Sequence, residues 1–372
     1  MAVFWFALTA AAVLIAQGAL FKRLVMRKLG YRRHFKQAAC YQGDEIELVE
    51  VIANDKWLPV PWLRAESQLD SSLRFRQADN FAVSSGQIYQ NHRSFFSMAP
   101  FTRITRTHKL TALKRGWYKL NTVTLTGGDL LGAHRLSLQI PLEGELIVYP
   151  RPADVSISEL ASHSWQGNQS VKRFIVHDPF VIAGTRDYAP GDSYRSVNWK
   201  ATARTGKLQV YQYDYTADRR LMIYLNVEDG EGMWRSVTNE PLIESGIELA
   251  AGAAAAAVRE GMEAGFSANM PMHGRTGSVC LEPGGGGEHL LAMLETMAKL
   301  QLERTETFGE LLERALQSGF SGRDVLLLSS YWNEELEFQA NRLRGRGNSV
   351  SLMLLTESVS DGRAGGEGGR SA

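Results

Sequence analysis

Hydrophobic positions fall into three patterns along this chain, and each predicts a different kind of element. Residues 2–21 (AVFWFALTAAAVLIAQGALF) form an apolar run without a charge, in which Thr9 and Gln17 are the clearly polar side chains. As a helix, twenty such residues reach about 30 Å, the thickness of a bilayer's hydrocarbon core. Phe4 and Trp5 lie near one end, where aromatic rings favour the headgroup level. Lys22, Arg23, Arg27, Lys28, Arg32, Arg33 and Lys36 follow, with no acidic residue before Asp44. The pattern predicts a transmembrane helix over 2–21 and a basic juxtamembrane segment over 22–38, lying against the anionic leaflet of a lipid bilayer. Under the positive-inside rule this is a single-pass protein of the cell membrane, with its N-terminus outside and its bulk cytoplasmic. Two alternatives stay open. Small residues around 16–19 resemble a signal-peptide cleavage site, although a signal peptide carries its basic residues before the apolar run. A buried helix of a soluble domain is the other, although such helices rarely run this long without a charge.

From 39 to 152 the pattern becomes short alternation. Glu45-Ile46-Glu47-Leu48-Val49-Glu50-Val51 alternates polar and apolar as a half-buried strand does, and similar runs appear at 120–125 and 146–149. Turn material separates them at 54–56, at Pro59 and Pro61, at Gly86, at 114–116 and at 127–129. Many short strands so spaced predict an antiparallel β-sandwich. After a connecting segment over 153–218, continuous apolar runs at 221–225, 325–328 and 350–355 read as strands buried on both faces of a parallel sheet. Helical patterns lie between them at 241–265, 290–302, 308–316 and 334–343, so 219–356 reads as a doubly wound α/β domain. The expected fold class is thus α+β multidomain. The tail over 357–372 has the composition of a disordered segment.

Charge narrows the function. Across 372 residues, 41 Lys and Arg balance 40 Asp and Glu for a net charge of +1, which argues against a nucleic-acid partner. Two cysteines, Cys40 and Cys280, exclude a disulfide scaffold. Cys280 lies in an apolar strand-like run and reads as an inert core thiol, whereas basic residues precede Cys40 and make reactivity conceivable.

The densest chemistry lies at 177–213 (HDPFVIAGTRDYAPGDSYRSVNWKATARTGKLQVYQY). Arg186, Asp187, Asp192, Arg195, Lys200 and Arg204 place opposite charges within a few residues of a Pro190-Gly191 turn, and Tyr188 and Trp199 add rings on which guanidinium groups stack. Bidentate Arg–carboxylate pairing would make this a structural clasp. A partner-binding surface is the second reading, and catalysis the third. No Gly-x-Ser-x-Gly elbow accompanies His177, Asp178 and Ser193. The Gly284–Gly287 run lacks the Lys-Ser/Thr of a phosphate loop, and no His-x-x-x-His or Cys-x-x-Cys offers zinc ligands.

The run Gly184-x-Arg186-Asp187-Tyr188-x-Pro190-Gly191-Asp192-x-x-Arg195-x-x-x-Trp199-Lys200-Ala201-x-Ala203-Arg204 resembles the signature of the domain-of-unknown-function 58 family. Arg115-Gly116, Gly128-Asp129-Leu130-Leu131-Gly132 and Tyr149-Pro150-Arg151 are similar to that family's upstream pattern, while the stretch where many relatives read closer to Asp-Pro-Phe-Gly departs from it. The resemblance implies a membrane-anchored bacterial protein with a β-domain and a von Willebrand factor type A-like domain. It also implies association with ATPases of the MoxR type in the AAA+ class, and in some members with transglutaminase-like membrane proteins. A metal-binding domain of that type needs Asp-x-Ser-x-Ser after its first strand, because a hard divalent ion takes oxygen ligands. This chain has Asn226-Val227-Glu228-Asp229-Gly230 there, so Asn226, Glu228 and Asp229 read as a degenerate loop, and neither a metal nor another cofactor is expected. Two function classes follow: a non-enzymatic membrane-tethered adaptor or assembly factor working with such an ATPase in envelope or complex maturation, and a carboxylate-dependent hydrolase acting near the membrane through Asp187 or Asp192.

Overall fold

The computed structural model describes residues 2–76, 81–85, 89–129, 135–155, 182–188, 197–213, 220–319 and 321–356. Contacts divide the chain into two compact units that part between Arg151 and Pro152, with Leu294–Lys299 grouped with the first.

The first unit opens with α1 (Ala2–Leu24), three residues longer than the apolar run because Lys22 and Arg23 close its last turn. The span Val3–Leu24 is long and apolar enough to cross a bilayer, and 6% of its most apolar window is buried. Twelve strands follow: β1 (Leu29–Phe35), β2 (Ala39–Tyr41), β3 (Glu45–Asn54), β4 (Val60–Asp70), β5 (Leu73–Phe75), β6 (Phe81–Ser85), β7 (Tyr89–Met98), β8 (Thr102–Ala112), β9 (Gly116–Lys119), β10 (Thr122–Gly128), β11 (Arg135–Pro141) and β12 (Glu145–Tyr149). They form sheets ordered β1-β3-β8-β5, β11-β10-β4-β7-β6 and β2-β12-β9. Pairing is antiparallel throughout, except that β2 runs parallel to β12.

Alternation sends every second side chain inward, as in β7, where Gln90, His92, Ser94, Phe96 and Met98 are buried and the residues between them exposed. Tyr31 and Ile52 of the first sheet meet Leu63, Ala65, Phe96, Val123 and Leu125 of the second, which makes a β-sandwich. Phe21, in the last turn of α1, and Val25, just after it, are buried in that same core. The basic segment expected against a leaflet enters the fold instead: residues from Leu29 onward form β1, whose inward phase carries Tyr31, Arg33 and Phe35 to the interior. Arg33 lies opposite Glu50 in the β1–β3 register, and the carboxylate charge offsets part of the cost of burying the guanidinium.

From Pro152 onward the elements are β13 (Ile182–Asp187), α2 (Trp199–Thr205), β14 (Gln209–Tyr213), β15 (Arg220–Leu225), α3 (Glu240–Arg259), β16 (Glu263–Ala268), β17 (Val279–Gly284), α4 (Gly287–Lys299), whose second half is grouped with the first unit, α5 (Phe308–Gln317), β18 (Asp324–Ser329), α6 (Glu334–Gly345) and β19 (Ser349–Leu354). The main sheet of the second unit is ordered β17-β16-β15-β18-β19, with four parallel strands and β17 antiparallel at the edge. On one face Met222, Tyr224, Val325 and Leu327 pack with Phe308, Leu312, Leu336 and Leu343 from α5 and α6. On the other, Gly246 of α3 brings the helix backbone close to Leu225 and Leu355. Further along α3, a Cβ at Gly252 would lie 2.3 Å from the carbonyl oxygen of Ala153, whose N–H donates to Glu248.

The helical pattern at 241–265 breaks sooner than periodicity suggests. Asn239 caps α3, Arg259 ends it, and Gly261 takes φ 76°, a left-handed turn that sends Met262 out of the helix and Glu263 into β16. Cys280 corrects a second expectation. On β17, covered on one side, Val279 faces in and Cys280 faces out, so the thiol is exposed rather than in the core. Atoms crowding its sulfur still raise its pKa, so it gains no thiolate character. Burial, with the Asp44 charge, pushes the Cys40 thiol up to about 11, opposite to activation.

Candidate functional site

The Arg-Asp-Tyr to Ala-Arg signature is in part a small β-α-β unit. β13 pairs antiparallel with β14, and Val197 bridges Val210, both side chains buried. Asn198 caps α2 by accepting from Ala201 N at 3.0 Å, and Gly206 ends the helix at φ 69°. The hydroxyl of Thr202 then accepts from Gln209 N, tying α2 to β14. Local hydrogen bonding thus explains much of the motif. The charged and aromatic members point outward: Arg186, Asp187, Lys200 and Arg204 are exposed, Trp199 is 67% exposed, and Tyr188 is half-buried. Arg186 donates to the Asp187 carbonyl at 3.1 Å, and the Asp187 carboxylate accepts from Gln209 Nε2. Gly191, Asp192 and Arg195 lie outside the described residues. Asp187 is therefore an exposed carboxylate hydrogen-bonded to Gln209.

The second candidate is the loop after β15, at the carboxyl ends of the parallel strands, where ligands of open α/β sheets gather. Asn226 is fully buried and spends its whole amide inward. Its Nδ2 donates to Ser329 Oγ at 2.9 Å, while its Oδ1 accepts from Glu228 N at 2.9 Å and from Asn269 Nδ2 at 3.0 Å. Asn269 Oδ1 in turn accepts from Val227 N at 2.8 Å, so two asparagines and a serine lock three strand ends together. Glu228 is also buried. Its Oε1 accepts from Arg304 at 2.9 Å, and its Oε2 from Phe308 N, the first residue of α5, at 3.1 Å. Asp229 accepts from Thr238 N and Asn239 N at 2.6 and 3.0 Å, ahead of α3. Both acids thus stabilise helix starts, where exposed N–H groups and the helix dipole favour negative charge.

This donor set does not fit a divalent cation. Both lone pairs of the Asn226 carbonyl are taken by N–H donors, and Glu228 is neutralised by a guanidinium that would repel an ion beside it. Among the described residues, no group of three His, Cys, Asp or Glu is placed to hold a metal. Over this network opens a cleft of about 600 Å³ formed by Asp229, Gly232, Met233, Thr238, Asn239 and Ser330, with Trp234 on its rim 89% exposed.

A third cluster escaped sequence reasoning altogether. Inside the sandwich, Glu50 accepts from Tyr31 Oη at 2.5 Å and from Ser94 Oγ at 3.1 Å, and lies 3.2 Å from His108 Nε2. The Arg33 guanidinium donates to Ser67, and its Nε and second Nη have no hydrogen-bond partner among the described residues. The His92 ring stacks on Phe75 and meets His108 edge-on. Burial alone would raise the Glu50 carboxyl, but the His108 hydrogen bond, the Arg33 charge and the Tyr31 hydroxyl outweigh it and hold the group at about 2. Burial and then the Arg33 charge keep His92 neutral down to about 3. The serine, histidines and glutamate have triad chemistry without access, because Ser94 is fully buried. Phase was the available signal: Ile46, Leu48 and Ile52 fix the inward face of β3, and Glu50 shares it.

A family described as "Protein of unknown function DUF58" matches residues 184–358. The "Uncharacterized protein YeaD" of Bacillus subtilis (strain 168) is 21% identical over 222 residues, which cover 60% of this chain and 54% of that protein. The chain thus spans about half the length of the curated relative it matches. Among solved structures, a non-cellulosomal cohesin from Archaeoglobus fulgidus is 13% identical, covering 37% of this chain and 99% of that one, at a TM-score of 0.22. A cohesin in complex with a dockerin from Clostridium thermocellum is 10% identical over 32% of this chain and 98% of that one, at 0.23. TM-scores this low carry no argument about fold or function.

Proposed function

We propose that this chain is a membrane-anchored member of the DUF58 family that acts by recognition, as an adaptor or assembly factor for a MoxR-type AAA+ ATPase in envelope or complex maturation. The family match over 184–358 and the distant YeaD likeness support the membership. In this reading α1 spans the cell membrane once and the rest is cytoplasmic, in keeping with its length and apolarity and with the basic residues after it. The second unit is a von Willebrand factor type A-like domain, a reading supported by its strand order with one antiparallel edge.

The observation that carries the proposal is the state of the strand-end site. Glu228 is paired with Arg304, Asp229 accepts from two backbone N–H groups and the asparagine amides are hydrogen-bonded, so among the described residues the strand ends present no vacant metal donor set. Directly beside it stands a nearly fully exposed tryptophan over an open cleft. Exposed aromatic anchors of that kind dominate protein–protein recognition. The partner supplies ATP hydrolysis, and this domain supplies the surface. A transglutaminase-like membrane protein is a further partner in the same assembly.

The test is affinity purification of the detergent-solubilised full chain followed by mass spectrometry, comparing wild type with Trp234→Ser and Arg195→Ala. A MoxR-type ATPase that accompanies the wild type and is lost from the Trp234 variant supports the adaptor. Recovery unchanged in both variants refutes it. Turnover of a glycoside, peptide or phosphate ester that vanishes on Asp187→Asn would instead establish the hydrolase.

A further inference from the structure

The strongest unassigned feature of the first unit is the end of the sandwich from which α1 emerges. Pairing registers bring the beginning of β1, the end of β3 and the beginning of β8 together, with Leu29 opposite Asn54 and Asn54 opposite Thr102. The turns at this end are knitted to each other and to the helix exit. The fully buried Asn54 donates to the carbonyls of Leu58 and Ala99, Asp55 N donates to Lys28 O, and Phe101 N donates to Lys56 O. Two large aromatic side chains stand out from these turns, Trp57 at 62% and Phe101 at 72% exposed. Phe101 takes φ 52°, a left-handed conformation that suits Gly or Asn and is costly for a bulky residue. Arg27 and Lys28, in the turn between α1 and β1, and Arg103, at the start of β8, are exposed at the same end.

We infer that this end of the sandwich is a membrane-docking surface: Trp57 and Phe101 insert into the headgroup boundary of the bilayer that α1 spans, with Arg27, Lys28 and Arg103 against anionic lipid. The inference rests on the anchoring role proposed for α1. Position along that helix identifies the occupant. The residues of α1 from Val3 to Ala16 are exposed, whereas Gly18 and Phe21 near its end are buried and Phe21 is in the sandwich core. Leu58, the residue after Trp57, and Met98, three before Phe101, share that core with Phe21, so a bilayer entered at this end of α1 lies next to the turns carrying the two rings. Indole and phenyl rings flanked by cations are the side chains that settle at that depth.

The full chain, with Cys40→Ala and Cys280→Ser, receives single cysteines at Trp57, Phe101, Val13 and Leu113, each labelled with an environment-sensitive fluorophore. Leu113 follows β8 and marks the opposite end of the sandwich. In nanodiscs containing anionic lipid and nitroxide-bearing lipid, labels at 57 and 101 should be blue-shifted and quenched several-fold more strongly than the label at 113, with the label at 13 quenched by deep nitroxides. Quenching at 13 with none at 57 and 101 overturns the docking surface and leaves the anchor standing. No quenching at 13 overturns both. The unmodified chain gives a second reading, since photoactivatable lipids should crosslink to the peptides bearing Trp57 and Phe101 and not to the one bearing Leu113. The reverse pattern refutes the docking surface.

Discussion

Replacing Glu50 by glutamine removes one charge from the centre of the sandwich while keeping the shape of the side chain. In the wild type that carboxylate accepts from Tyr31 and Ser94, lies beside His108, and faces the buried Arg33 guanidinium. Its folded value of about 2 lies below its ordinary 4.5, and at about 1.4 kcal/mol for each tenfold change in proton affinity the difference stabilises the fold by about 3 kcal/mol. Because the folded pKa is depressed, this contribution is complete above pH 4.5 and disappears as pH falls towards 2. His92 acts in the same direction over a higher window: the unfolded chain takes up a proton below 6.5, while the folded ring resists until about 3. Glu50→Gln should therefore destabilise the sandwich by about 3–5 kcal/mol at neutral pH, because Arg33 is left buried without its counter-charge. It should also erase the part of the acid limb between 4.5 and 2, leaving the part due to His92. Pulsed labelling of Cys40, a half-buried thiol in this unit, reports sandwich opening in the detergent-solubilised full chain as urea and pH are varied. Glu47→Gln, at an exposed site paired with Lys36, is the control and should change little. If Glu50→Gln matches the wild type in neutral stability and in acid profile, the electrostatic account of this core is wrong.

Three other outcomes are expected. Gly252→Ala should lower the thermal midpoint of the second unit and cost about 1–3 kcal/mol, because a methyl group 2.3 Å from the Ala153 carbonyl forces the backbone over 153–155 off α3; an unchanged midpoint would refute that packing. Glu228→Gln should cost about 2 kcal/mol, since Arg304 and the first N–H of α5 lose their anion, and differential scanning calorimetry reads it. Millimolar Mg²⁺ or a chelator should leave the wild-type melting curve unmoved. A saturable stabilisation by Mg²⁺ that Glu228→Gln abolishes would overturn the reading of the strand-end site.

How much of this was legible beforehand depends on what each residue type reports. The continuous run Leu221–Leu225 announced a strand buried on both sides, since polar residues there would have no solvent to reach. The residues at 241–258 announced a helix with an apolar face; its end did not follow from periodicity, because Met262 keeps the spacing while Gly261 reverses the chain. Arg33 and Glu50 read as surface charges because composition counts them as polar. Only the phase set by Ile46, Leu48 and Ile52 turns Glu50 inward, and only pairing of β1 with β3 brings Arg33 close to it. At the strand ends the loop 226–230 was identifiable from its place after an apolar run. Its partners Asn269, Arg304 and Phe308 were not, because they come from segments 40 to 80 residues away that the fold alone brings near. Trp234 gave no periodic signal, lying in a turn whose exposure depends on tertiary placement.

The burial of Phe21 and Val25 beside Ile52, Leu63 and Phe96 has a mechanical consequence. Helix and sandwich share one set of contacts, with no slack linker between them, so the joint behaves as a stiff lever. Traction on α1 loads the sandwich interior at once, so force along the helix reaches the β-domain core without first taking up slack.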